Sequence, residues 1–101
     1  MNIPILTQEL RAFCQQWQIQ ELALFGSILR DDFSPESDID VLVTFAPDAQ
    51  WTLLDIAEMR DELSHLFGRS IDLVERRAVE RSQNVIRRKA ILGTAEVIYA
   101  A

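Results

Sequence analysis

The stretch that decides the fold is residues 22–45, LALFGSILRDDFSPESDIDVLVTF. An apolar run, Leu22 to Phe25, ends abruptly at Gly26-Ser27. Ten residues follow, with turn chemistry at Ser34-Pro35-Glu36, before Asp38-Ile39-Asp40 opens a second apolar run, Val41-Leu42-Val43. Short, continuously apolar segments read as strands covered on both faces. Side chains alternate along a strand, so Asp38, Asp40, Leu42 and Thr44 share one side of the segment 38–45. Ile39, Val41, Val43 and Phe45 take the other. The two carboxylates therefore project the same way, roughly 6–7 Å apart at ~3.3 Å per residue. Carboxylates mounted on so apolar a strand are costly unless something pairs with them. That cost makes the stretch a candidate site.

Outward from this stretch the periodicities predict an alternation of helices and strands. Upstream, Leu10, Phe13, Cys14 and Trp17 fall at i, i+3, i+4 and i+7, which predicts a helix over 7–18 with one apolar face. Thr7 is positioned to cap it. On that stripe Cys14 and Trp17 read as core; a reactive thiol needs a polar, electropositive setting. Gly26 permits a backbone conformation or a close approach that a side chain would block, and Ser27 to Arg30 reads as a short helical turn. Downstream, Thr52 and Asp55 have the spacing of a capping box for a helix over 52–67, stopped by Gly68. Its expected buried stripe is Leu53, Ile56, Ala57, Leu63, Leu66 and Phe67. His65, the only histidine, sits near that helix's C-terminus without a second ligand-type residue at metal spacing, and reads as structural. A third strand over 70–75 carries Asp72 among Ile71, Leu73 and Val74, the anomaly of Asp38 and Asp40 repeated. A helix over 82–92, ended by Gly93, and a short strand over 97–99 complete the chain. The expected fold class is α/β (α+β): a small mixed sheet of about four strands flanked by helices, with the aspartate-bearing strands as neighbours.

Composition narrows the function. The 101 residues suit a single domain over 1–101, with 49% hydrophobic and 26% charged residues. The formal net charge of −6 disfavours direct nucleic-acid binding. Seven basic residues, Arg69, Arg76, Arg77, Arg81, Arg87, Arg88 and Lys89, gather in the last third. They can meet a polyphosphate or an acidic partner, or form a solvated helix face. One cysteine rules out an intrachain disulfide and fits a reducing compartment. No apolar run approaches the ~20 residues of a membrane span, and the N-terminus has no signal-peptide pattern. The expected location is cytoplasmic, with no membrane association.

If the second and third strands pair so that Asp72 faces with Asp38 and Asp40, three carboxylates converge. Unpaired, they would repel strongly. Divalent cations remove the problem, and Mg²⁺ completes its shell with water and substrate phosphates. Two such ions can clamp the attacking and leaving oxygens of an in-line phosphoryl displacement. Asp38 and Asp40 are then metal ligands, and Asp72 is either a third ligand or a general base. Gly26-Ser27, a tight turn leading into a helical turn, suits a phosphate, and Arg30 can stabilise the departing pyrophosphate.

Gly26-Ser27, ten residues, then Asp38-Ile39-Asp40 resembles the signature of the DNA polymerase β-like nucleotidyltransferase superfamily. With Phe25, Arg30, Ser37, Val41-Leu42-Val43, Leu66-Phe67-Gly68-Arg69, Ile71-Asp72-Leu73-Val74 and Ile98-Tyr99, the chain resembles the minimal nucleotidyltransferase (MNT) proteins over nearly its whole length. The resemblance implies MgATP as donor and transfer of AMP to a hydroxyl. It also implies an antitoxin role in a toxin–antitoxin pair. The partner is then a helical HEPN ribonuclease toxin, silenced by AMP added to a tyrosine. Carried over by position, it makes Asp38, Asp40 and Asp72 the acidic triad and gives Gly26 and Ser27, with Arg30, the triphosphate. One departure stands out: many relatives have an Arg-Gly pair after the Gly-Ser, whereas Arg30 is followed by Asp31-Asp32. Two other functions fit the sequence less well. An antitoxin acting by contact alone gains nothing from three awkward aspartates. A small-molecule nucleotidyltransferase would need a substrate-recognition domain.

Overall fold

The computed structural model describes residues 7–26 and 38–101. The described elements run α1 (Thr7–Gln16), β1 (Ile19–Phe25), β2 (Ile39–Phe45), α2 (Leu53–Phe67), β3 (Ile71–Glu75), α3 (Arg76–Glu80), α4 (Val85–Thr94) and β4 (Glu96–Ala100). The strands form one mixed sheet in the order β3-β2-β1-β4. β1 pairs antiparallel with both β2 and β4, while β2 and β3, joined through α2, run parallel. The aspartate-bearing strands are thus neighbours, as their sequences predict.

Alternation splits the sheet's side chains into two cores. Leu22, Leu24, Ile39, Val41, Val43 and Ile71 pack with Leu10, Phe13, Cys14 and Trp17 of the α1 segment and with Met59, Leu63 and Phe67 of α2. The opposite side is smaller: Ala23, Phe25 and Leu42 meet Val79 of α3 and Ile91 of α4. Cys14 is fully buried, and burial pushes its thiol pKa from 9.0 up to about 12, so it stays a neutral core group. Two tryptophans tie the first core to its loops. The Trp17 indole N–H donates to Glu62 Oε2 at 2.9 Å, and that of Trp51 donates to the Trp17 carbonyl at 3.1 Å. Their rings meet edge to face, 5.1 Å between centroids.

Several boundaries differ from the sequence reading. β1 starts at Ile19, because Ile19 is buried opposite Phe45 while Gln20 and Glu21 mask the apolar run. Gln18, at φ 54°, makes the turn from α1 into it. The capping box of α2 is present in full, and Gly68 closes the helix in the left-handed region at φ 68°. Leu53, however, is 88% exposed rather than buried, and the core line of α2 is Met59, Leu63, Phe67. At 3.6 residues per turn Leu53 lies roughly 80° round the helix from Leu63. Among the described residues His65 makes a local bond, its Nδ1 lying 2.8 Å from the Asp61 carbonyl. α3 escaped the sequence reading because a single helical turn with one buried residue, Val79, is too short to show a period. Gly93 does not end α4. The helix runs through Thr94, and the Ala95 N–H, donating to the Ile91 carbonyl, closes it from extended backbone.

Candidate active site

The sheet gathers Gly26, Asp38, Asp40 and Asp72 at one end. Gly26 follows the last residue of β1, Asp38 precedes the first residue of β2, and Asp72 is second in β3. Because β1 runs antiparallel and β3 parallel to β2, these three ends coincide. The register is specific. Asp40 stands opposite Asp72 on one side and Phe25 on the other. Residues opposite each other in neighbouring strands point to the same side, with strands ~4.8 Å apart. Asp40 and Asp72 therefore flank each other on the side of Leu42, away from the larger core. By strand alternation Asp38 belongs to that side too. The Ile39 N–H, donating to the Ser70 carbonyl at 2.9 Å, pins the start of β2 to β3 at this point.

Gly26 is required here twice over. Its φ of 78° lies in the left-handed region. A Cβ at this position would also overlap Oδ2 of Asp40 and come 3.0 Å from its Cγ. The turn is therefore packed directly onto the carboxylate, and no larger residue fits without displacing it. Asp40 is half-buried at the floor, while Asp38 and Asp72 are exposed at the rim. Ser27 and Arg30 lie outside the described residues.

The donor set is all carboxylate oxygen, the chemistry of Mg²⁺ or Ca²⁺ rather than of zinc. Among the described residues, no three His, Cys, Asp or Glu side chains stand close enough together to hold an ion as they lie. The backbone provides the convergence, with Asp38 and Asp72 exposed at the surface.

A feature that sequence reasoning passed over lies on the same side of the sheet. Between β3 and the α3–α4 hairpin is a cavity of about 240 Å³, with Val74, Val79 and Ile91 against Ser82, Arg87 and Arg88. The signal was present in the cluster of basic residues at 76–89, but only the fold shows that two of them border a cavity.

The nucleotidyltransferase domain model matches residues 6–92, and the chain belongs to that family. Within it the similarity runs to protein adenylyltransferases. The chain is 33% identical over 70 residues to the protein adenylyltransferase MntA of Thermococcus cleftensis, covering 69% of each chain. Among solved structures, its fold matches a chain of a toxin–antitoxin complex with AMP-PNP, at TM-score 0.68 and 18% identity, over 93% of this chain and 73% of that one. It also matches a chain of the complex between tri-AMPylated Shewanella oneidensis HEPN toxin and MNT antitoxin. There the TM-score is 0.60 at 19% identity, over 93% of this chain and 69% of that one.

Proposed function

We propose that this nucleotidyltransferase is the antitoxin of a two-protein pair. It would transfer AMP from ATP to a hydroxyl, that of a tyrosine, on a cognate HEPN-family ribonuclease toxin and so neutralise it in the cytoplasm. The observation that carries the reading is the register of Asp40 opposite Asp72, with Gly26 packed onto the Asp40 carboxylate. Similarity to MntA supports a protein as acceptor.

The residues divide the work as follows. Gly26 brings backbone against Asp40, leaving room for triphosphate oxygens beside the carboxylate; Ser27 and Arg30 would bind those oxygens. Asp38 and Asp40 would hold Mg²⁺, and Asp72 would either complete that oxygen set or take the proton. Bound magnesium would neutralise the triphosphate and the charge that develops on the leaving group. The acceptor oxygen forms a bond to the α-phosphorus, the bond from that phosphorus to the bridging oxygen breaks, and pyrophosphate departs. The hydroxyl proton passes to a carboxylate or to water. If Asp72 is the base, small exogenous bases should partly rescue Asp72→Asn; if it is a ligand, raised Mg²⁺ should do so instead.

Intact-mass measurement of the partner after incubation with MgATP tests the reading. The expected result is a gain of one or more AMP units. In Asp40→Asn the rate should fall by about 10²–10³-fold or more, the scale of losing one preorganised charge-stabilising group, with no loss of folded protein. Full neutralisation of the toxin by Asp40→Asn without a mass change would replace catalysis by simple binding.

A further inference from the structure

Charge is divided between the two sides of the sheet. Helices α1 and α2, over the larger core, carry Glu9, Asp55, Glu58, Asp61 and Glu62 against two cations, Arg11 and Arg60. On the opposite side, residues 76–89 hold six basic residues and a single carboxylate, Glu80. The acidic side is also grooved. Between α1 and α2 runs an open cleft of about 390 Å³, floored by Ala12, Phe13 and Leu66 and edged by Glu9, Glu62 and His65. Glu58, Asp61, Glu62 and His65 fall at i, i+3, i+4 and i+7, so one face of α2 brings its carboxylates to that edge. Both cations turn away. Arg60 lies roughly 200° round the helix from Glu62, and Arg11 lines the other flank of α1, beside Ile98 and Tyr99 of β4. Among the described residues, no ion pair engages Glu9, Glu58, Asp61 or Glu62. The Trp17 indole, donating to Glu62 Oε2 at 2.9 Å, fixes that carboxylate at the edge.

An apolar floor between acidic edges suits an amphipathic helix whose apolar side chains are flanked by cations, the helix-in-groove mode of recognition. Charge complementarity selects the occupant. A ribonuclease grips a polyanion and so presents Lys and Arg. The acidic side of this chain attracts such a surface, and the side formed by 76–89 repels it. The groove also opens where an acceptor is needed. β1 runs toward the carboxylate end of the sheet, so α1, folding back through the turn at Gln18, starts near that end. α2 leads from the end of β2 to the start of the parallel β3, and so finishes there. The part of the groove at Glu9, His65 and Leu66 therefore adjoins the end of the sheet that carries Asp38 and Asp72.

We propose that the α1–α2 groove is the docking surface for the toxin, seating a basic helix of the ribonuclease with its apolar side chains on Ala12, Phe13 and Leu66 and its cations on Glu9, Glu58 and Glu62. The identity of the partner rests on the reading proposed above. Docking here selects the acceptor protein and presents its hydroxyl at the sheet end, leaving the carboxylates on the other side free for ATP.

The test is steady-state AMP transfer to the isolated cognate ribonuclease, with rates normalised to the folded fraction. All substituted positions are exposed. The charge-reversed pair Glu9→Lys/Glu58→Lys should raise the KM for the toxin at least tenfold, with kcat and the KM for ATP unchanged. Ala12→Trp, which fills the groove without altering charge, should do the same. Lys89→Glu, on the opposite side of the sheet, should leave the KM for the toxin where it is. An unchanged KM for the toxin in both groove variants, an equal rise in the KM for ATP, or an equal loss in Lys89→Glu would each overturn the assignment. Failure of the transfer reading looks different. Wild type that binds the toxin in a titration but adds no AMP, with binding weakened in both groove variants, would remove the enzymatic step and leave the docking surface standing.

Discussion

The two sides of the sheet are made from the same strands and do opposite things. On one side, Leu22 and Leu24 of β1 and Ile39, Val41 and Val43 of β2 are apolar and buried under α1 and α2, with Phe45 half-buried at the far end. On the other, the same alternation gives Ala23, Phe25 and Leu42, then stops: the next positions toward the sheet end are Asp40 and Asp72. The smaller helices α3 and α4 cover only the apolar part. One side is thus a core with no chemistry, and the other a half-core that ends in a site. Substitutions on the first should change stability without changing what a folded molecule can do. Those on the second should do the reverse.

The comparison can be broken most sharply from the core side. Cys14 is buried there with its thiol pushed from 9.0 to about 12. The unfolded chain releases that proton first, so the stability is fully present below pH 9 and is lost as pH rises through about 12. The loss is of order 4 kcal/mol across the window at 1.36 kcal/mol per pH unit. Denaturant titrations at rising pH should show this slope in wild type and lack it in Cys14→Ala; equal slopes would show that the thiol is not sealed in the core. Leu63→Ala, deleting a fully buried side chain of α2, should cost about 2–5 kcal/mol. Transfer per folded molecule should stay unchanged, as measured by activity normalised to the folded fraction.

Gly26→Ala lies on the boundary and should show both effects. The left-handed φ alone costs about 1–3 kcal/mol, and the displaced Asp40 carboxylate lowers the transfer rate beyond what the lost stability explains. A variant with lowered melting temperature and full rate would separate the glycine from the site. The smallest effect is expected at Leu53, on the exposed first turn of α2. Leu53→Ser should lie within about 0.5 kcal/mol of wild type, whereas the sequence stripe alone predicts a core loss.

That contrast shows what was legible in the sequence. The alternation at 38–45 predicted both sides of β2 residue by residue, because a strand's period is two and allows no drift. The partnership of Asp40 with Asp72 needed the register, which depends on how β3 docks after α2; the chain suggests it only through the repeated anomaly of an aspartate in an apolar strand. The stripe of α2 was misjudged at Leu53 because a helix turns 100° per residue and the angle to the core depends on where the sheet stops. The Arg87–Arg88 cavity was illegible for the same reason: helix α3 leaves no period, and without it nothing in the sequence folds α4 back over Val74. Gly26 was recognised as a turn, but its fit against the Asp40 carboxylate depends on the antiparallel pairing of β1 with β2.

The central claim is that Asp40 and Asp72 form one site, and a double-mutant cycle tests it. Single-turnover transfer of labelled AMP would be measured for wild type, Asp40→Asn, Asp72→Asn and the double variant. Residues acting as a unit are grossly non-additive. The double variant should therefore be no slower than the slower of the two single variants. Rate losses that multiply would mean that the two carboxylates act independently, and would contradict the account.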